Sequence, residues 1–109
     1  MKETISFKDF QKMDLRVGRV LEAKDVPNSR NLILLSMDIG TEVRQMVAAI
    51  KGFYKPEELI GKNIAVIVNL EPRRVMGLES KGMILAAVER EKPIILMPEK
   101  EVEPGTPVS

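Results

Sequence analysis

The chain contains no cysteine, no histidine and no tryptophan, and its only aromatic residues are Phe7, Phe10, Phe53 and Tyr54. Each absence excludes a chemistry. Structural zinc and Cys-ligated iron–sulfur clusters need Cys or His ligands. Cysteine nucleophiles and Ser–His or Cys–His couples are equally excluded. Without His, no side chain titrates near neutrality unless its pKa is strongly displaced. The disulfide-rich secreted class is removed. No segment approaches the ~18 uninterrupted apolar residues of a membrane span; Ile64 to Val68 is of strand length. Met1-Lys2-Glu3-Thr4 leads into charged residues rather than an apolar signal core, so a cytoplasmic location is expected and no membrane partner. The phosphate-binding patterns GxxxxGK[ST] and GxGxxG are both missing. No cofactor and no metal is implied.

What is present suits one ordinary domain. A length of 109 residues, 44% apolar and 30% charged, supports a core without staples, with a radius of roughly 13 Å. Lys and Arg number 17 against 16 Asp and Glu, a net charge of +1 that does not announce a nucleic-acid binder. The distribution is less even. Residues 44–81 carry seven Lys/Arg against four Glu, and residues 89–109 three against five. A basic centre and an acidic tail can set a local positive field on one surface; a mixed solvated surface is the plainer reading.

Ser6-Phe7-Lys8-Asp9 resembles a capping box and predicts a short first helix with Phe7 and Phe10 on one face. From Asp14 to Val20 the pattern is strand, with Leu15 and Val17 alternating around Arg16. The phase breaks at Gly18-Arg19, which predicts a bulge or bend in one long strand. Val26-Pro27-Asn28-Ser29 reads as a turn, Leu32 to Ile39 as the second strand and Val43 to Ile50 as the third. Pro56-Glu57-Glu58-Leu59 starts a helix, with Pro at its first position and acids in its first turn. Asn63 to Leu70 is the fourth strand, Met83 to Val88 the fifth and Ile94 to Met97 a short sixth. A helix between strands three and four of a small all-β domain is the pattern of a five-stranded OB-fold barrel. The fold class is therefore all-β, a five-stranded OB-fold barrel with short helices and a C-terminal extension. Strand count alone also admits a small β-sandwich. The Pro-rich, acidic end, residues 98–109, reads either as a frayed tail or as a paired extension, with Val102 and Val108 flanking a Pro-Gly turn.

Little points to catalysis. Glu57 and Glu58 sit on a helix start and read as solvated caps. Ser80 and Lys81 are adjacent, so they point in different directions, and nothing nearby would lower the Lys pKa. A non-catalytic binding module is expected. The unusual stretch is residues 69–83, which an OB barrel places on its ligand face. Arg73 and Arg74 can hold phosphates with planar forks. Ser80 and backbone amides near Gly82 can donate to phosphate or ribose. Met76 and Met83 offer adaptable apolar contact. An ordinary surface loop, with Met83 entering the core, is the bland alternative. No aromatic lies on the strands that would form the binding face, which disfavours a generic single-strand binder that stacks bases. A reader of folded RNA by shape and backbone remains compatible, as does a peptide-binding groove.

Several ordered motifs together resemble the tRNA-binding domain found at the C-terminus of bacterial methionyl-tRNA synthetases. The same domain occurs as stand-alone tRNA-binding proteins, as a separate synthetase β subunit and in the endothelial-monocyte-activating polypeptide family. Asp14-Leu15-Arg16-Val17-Gly18 matches the family's first strand, and Pro27-Asn28-Ser29 with Leu32 its following loop. Tyr54 with Pro56-Glu57-Glu58-Leu59 matches the start of the helix. Asn69-Leu70-x-Pro72-Arg73-Arg74, Gly77 and Ser80-x-Gly82-Met83-Ile84-Leu85-Ala86-Ala87 match the fourth loop and fifth strand. The resemblance covers nearly the whole chain, residues 1–109 as one domain. It implies an OB fold that dimerises through its ends, here 98–109, and binds tRNA as an auxiliary to the catalytic subunit of methionyl-tRNA synthetase. It assigns RNA contact to Asn28, Arg73, Arg74, Ser80 and Met83. Charge and placement add Arg30, Arg44, Lys51 and Lys81; Arg16 is read as either a contact or a structural ion-pair residue.

The chain departs from the family's pattern at three places. After strand one the family often reads His-Pro-Asn-Ala-Asp-Lys-Leu; here Asn31 replaces the Lys, and Arg30 carries charge one residue earlier. Val47-Ala48-Ala49-Ile50 loses a hydroxyl from the usual Val-Ser-Gly-Ile. Glu71 stands where Lys is common. Each lost phosphate contact lowers the salt slope of binding by about one, so weak binding, or binding that needs both faces of a dimer, is expected. The related CsaA-like chaperones share the fold, size and dimer, and resemblance to them implies binding of unfolded or secretory polypeptides. They usually lack the Gly-Met that stands here as Gly82-Met83.

Overall fold

The computed structural model describes residues 1–109. Its first helix, α1 (Phe7–Phe10), begins as expected: Ser6 is the N-cap and its hydroxyl accepts the amide of Asp9 at 3.0 Å. The Phe7 and Phe10 rings stack with centroids 6.4 Å apart.

The long strand β1 (Leu15–Asp25) serves both halves of the sheet. Leu15 to Arg19 pair with β4 (Asn63–Ile67), and Arg19 to Asp25 pair with β2 (Ile33–Asp38). The register shift lies between Val20 and Glu22, not at Gly18-Arg19 as the phase break suggested. The extra residue is Leu21, which is exposed while Val20 is buried. Gly18 is small for a different reason: a Cβ there would lie 3.0 Å from Met37 Cε and 3.5 Å from Val66 Cγ1, inside the barrel.

Along β2, Ile33, Leu35 and Met37 are fully buried and alternate with half-exposed residues, the two-residue period of a half-buried strand. Strand β3 (Val43–Ala48) pairs with β2. Helix α2 (Pro56–Leu59) follows and contributes Leu59 to the core formed with Ile33, Leu35, Met46, Ile64 and Val66. The sheet order is β3-β2-β1-β4-β7, where β7 is Met83–Ile84, all neighbours antiparallel. The Lys81 amide donates to the Gln45 carbonyl at 2.9 Å and brings the far end of this sheet back to β3. The result is a nearly closed five-stranded antiparallel barrel, the expected fold class. No helix is long and apolar enough to cross a membrane.

Three features differ from the sequence reading. The loop after strand four holds a hairpin, β5 (Arg73–Val75) and β6 (Leu78–Ser80), joined by Met76-Gly77 at φ 50° and 79°. Two left-handed residues make a primed turn, whose usual marker is Asn-Gly rather than Met-Gly. The fifth strand does not run through to Val88. It breaks at Leu85, whose amide donates to Ala65 and whose carbonyl accepts from Leu96. Strand β8 (Ala86–Glu89) then forms a separate hairpin with β9 (Lys92–Ile95). That hairpin leaves Val88, Ile94, Leu96 and Met97 exposed.

The tail is paired, and to its own chain. Gly105 donates to Val17 at 2.7 Å, Val17 to Thr106 at 2.9 Å and Val108 to Leu15 at 2.9 Å. It occupies the edge of β1 that β2 leaves free. The approach depends on two glycines: a Cβ on Gly40 would lie 2.8 Å from Gly105 Cα, and both residues have left-handed φ, 92° and 88°.

Candidate nucleic-acid interface

The loop after β1 is built around Ser29. Its buried hydroxyl accepts the amides of Leu32 at 3.1 Å and Asn31 at 3.3 Å, and its own amide donates to Val26. Asn28 takes the left-handed conformation, φ 64°, which Asn tolerates better than most residues. Asn28 and Arg30 stand exposed on either side of the buried serine. The Lys51 ammonium donates to the Ser29 carbonyl at 3.0 Å and its amide to Asn31 at 3.1 Å, so the turn after β3 is fastened to this loop.

The β5–β6 hairpin lies against the same loop. Val75 and Leu78 pack on a small cluster of Val26, Leu32 and Val47. Registers Arg73 to Ser80 and Arg74 to Glu79 place the two arginines on opposite faces of the hairpin. Arg73 lines a recess with Leu70, Glu71, Ser80, Gly82 and Met83. Arg74 shares the other face with Glu79 and donates to the Gly77 carbonyl at 3.0 Å. The two guanidinium groups therefore leave the hairpin on different sides.

Ser80 is 3% exposed, and its hydroxyl is engaged on both sides: it accepts from Val47 at 3.0 Å and donates to Gly82 at 3.1 Å. Its proton is directed to the Gly82 carbonyl within the barrel closure. Arg44 pairs with Glu42 and donates to the Val68 carbonyl, and it holds the Glu42 carboxyl below its ordinary range. Lys81 lies 3.5 Å from Glu79. Arg16 grips both Asp14 oxygens at 3.0 and 2.9 Å and donates to Ile39 and Thr41, so it is the structural ion-pair residue. That contact lowers the Asp14 pKa and raises that of Arg16.

The chain's five ion pairs thus offset Arg16 and the expected contacts Arg44 and Lys81, and include none of Arg30, Lys51, Arg73 or Arg74. Three distant segments converge: the Asn28–Arg30 loop, Lys51, and the hairpin bearing Arg73, with half-exposed Met83 at its base. Such a strip can meet a run of phosphates. No group of three or more Asp or Glu is placed to hold a metal ion. A neighbouring recess around Phe53 was not apparent in the sequence, where Phe53 was seen only as an aromatic off the strands.

A small five-stranded antiparallel barrel with a helix between its third and fourth strands defines the OB-fold class of domains. Residues 15–107 match the family described as "Putative tRNA binding domain", and the chain belongs to that family. It is 57% identical over 107 residues to a methionine–tRNA ligase of Archaeoglobus fulgidus; the match takes in 98% of this chain but spans only 16% of that enzyme's length. Among solved structures, a MetRS related protein from Pyrococcus horikoshii superposes with a TM-score of 0.93 at 34% identity, covering 99% of this chain and 100% of that one. The chaperone CsaA of Bacillus anthracis superposes with a TM-score of 0.89 at 37% identity, covering 98% and 100%.

Proposed function

We propose that the chain binds tRNA through folded shape and backbone, as a non-catalytic, homodimeric auxiliary of methionyl-tRNA synthetase in the cytoplasm. It serves as a β subunit or as a factor acting in trans. The observation that carries this reading is that the Asn28–Arg30 loop, Lys51 and the hairpin bearing Arg73 pack on one another, with Arg30, Lys51 and Arg73 outside the chain's ion pairs. Arg74, Arg44 and Lys81 stand at the margins, where Glu79 and Glu42 reduce their pull on phosphate. Similarity to methionine–tRNA ligases supports the choice of RNA. The exposed apolar residues Val88, Ile94, Leu96 and Met97 support a subunit contact, to which residues 98–109 contribute by bracing β1.

Titration of the purified protein with bulk tRNA at two salt concentrations tests this, with an unstructured RNA of equal length as competitor. Salt-sensitive preference for tRNA is the expected outcome. A second reading, capture of unfolded polypeptide, is favoured by the likeness to CsaA and by exposed Leu70, Met76 and Met83 on the fourth loop. It predicts salt-tolerant binding of an unfolded polypeptide and no binding of RNA.

A further inference from the structure

We infer that the recess beside Phe53 receives one unpaired nucleobase of the bound RNA, stacked on the Phe53 ring. The inference rests on the RNA-binding reading above and adds a position to that site.

Phe53 is 51% exposed, yet it does not sit on a loose segment: its amide and that of Tyr54 both donate to the Ile50 carbonyl at 3.1 Å. The other aromatics are committed. Phe7 and Phe10 stack on each other, and Tyr54 accepts the Ile95 amide at 3.2 Å with the Lys62 ammonium 5.6 Å from its ring. Phe53 alone therefore offers an uncommitted ring next to the cationic strip. Lys51 belongs to both places, lining this recess while its ammonium holds the Ser29 carbonyl.

The recess has a volume of about 370 Å³, within the range of small-ligand sites. Lys51 and Lys55 are balanced in it by Asp25 and Glu58, and Glu58 already accepts the Lys55 amide at 2.7 Å. A charge-balanced hollow suits a neutral base better than a phosphate. Base–aromatic stacking needs no sequence match, since every base has a π-face. It therefore suits a protein that otherwise reads shape and backbone, and it compensates for the charge lost at Asn31 and Glu71.

The test uses two variants and bulk tRNA. The chain has no Trp, so Phe53→Trp creates a single fluorescent reporter at the site. Stacking predicts that Phe53→Trp keeps wild-type affinity and that its emission is quenched on adding tRNA. Phe53→Leu, apolar but without a stacking face, is expected to bind roughly fivefold to a hundredfold more weakly. Its salt slope stays unchanged because no charge is lost. Both results together support the inference; unchanged affinity in Phe53→Leu, or no quenching in Phe53→Trp, overturns it. Wild-type protein that fails to bind tRNA overturns the RNA-binding reading as well, whereas binding that survives in Phe53→Leu and weakens in Arg73→Ala overturns the Phe53 inference alone.

Discussion

The hydroxyl of Ser80 accepts the amide of Val47 at 3.0 Å and thereby joins the end of the β5–β6 hairpin to β3. With the Lys81 amide on the Gln45 carbonyl and the Gln45 side chain on the Glu79 carbonyl, it closes the barrel where strand-to-strand pairing is incomplete. The same hairpin carries Arg73, so the position of that guanidinium depends on a buried residue that does not itself face outward.

Ser80→Ala leaves the Val47 amide buried without an acceptor. A loss of about 1–3 kcal/mol in chemical denaturation is expected, the cost of an unsatisfied buried donor. Affinity for tRNA, measured where the variant is fully folded, should change little and its salt slope not at all. A fold of unchanged stability that binds more weakly would make Ser80 a direct contact after all.

The two arginines should not be equivalent. Arg73→Ala is expected to weaken tRNA binding and lower the salt slope by about one. Arg74→Ala should have a smaller effect, since Arg74 is tied to Gly77 and faces Glu79. Salt titrations of both variants decide the matter; equal losses would mean that the hairpin turns on binding.

The tail offers a separate test. A Cβ on Gly105 would lie 2.7 Å from the Ile39 carbonyl, at a φ of 88°. Gly105→Ala is expected to cost at least about 1–3 kcal/mol and to release the tail from β1. Thermal unfolding measures the first effect. Sedimentation measures whether a dimer dissociates with it, and one that persists with the tail released would exclude residues 98–109 from the subunit contact.

Acid should weaken the fold partly through Asp14. Its hydrogen bonds to Arg16 hold its carboxyl below the ordinary value of 3.8. A carboxyl depressed in the folded state adds stability above its unfolded pKa, and that stability is lost as pH falls through the folded value. Wild-type protein should therefore exceed Asp14→Asn in melting temperature near neutrality, and the gap should close as pH drops below the ordinary carboxylate range. A gap that stays constant down to strong acid would show that the pair contributes only through packing.

The main strands were legible because their burial is periodic. Ile33, Leu35 and Met37 announce one face of β2, and Pro56 with two acids announces α2. The β5–β6 hairpin was not, because Met76 takes a backbone conformation that the usual turn residues would have advertised. The bulge was misplaced by two residues because Gly18 marks a crowded interior rather than a bend. Ser80 was read as a donor to RNA from its company in the motif, while its burial is a property of the closed barrel.

By itself the sequence determined the kind of domain. Alternating apolar residues, turn chemistry and helix-start signals act over a few neighbours, and the absence of Cys and His closes off whole classes of chemistry. Only the tertiary structure decided which charges act together. Lys51 meets Ser29 across 22 positions, Arg73 and Arg74 separate to opposite faces, and Arg44 and Lys81 are offset by carboxylates. The reason is range: backbone preference is local, whereas the field at a surface is set by whichever side chains closure of the barrel brings within a few ångströms.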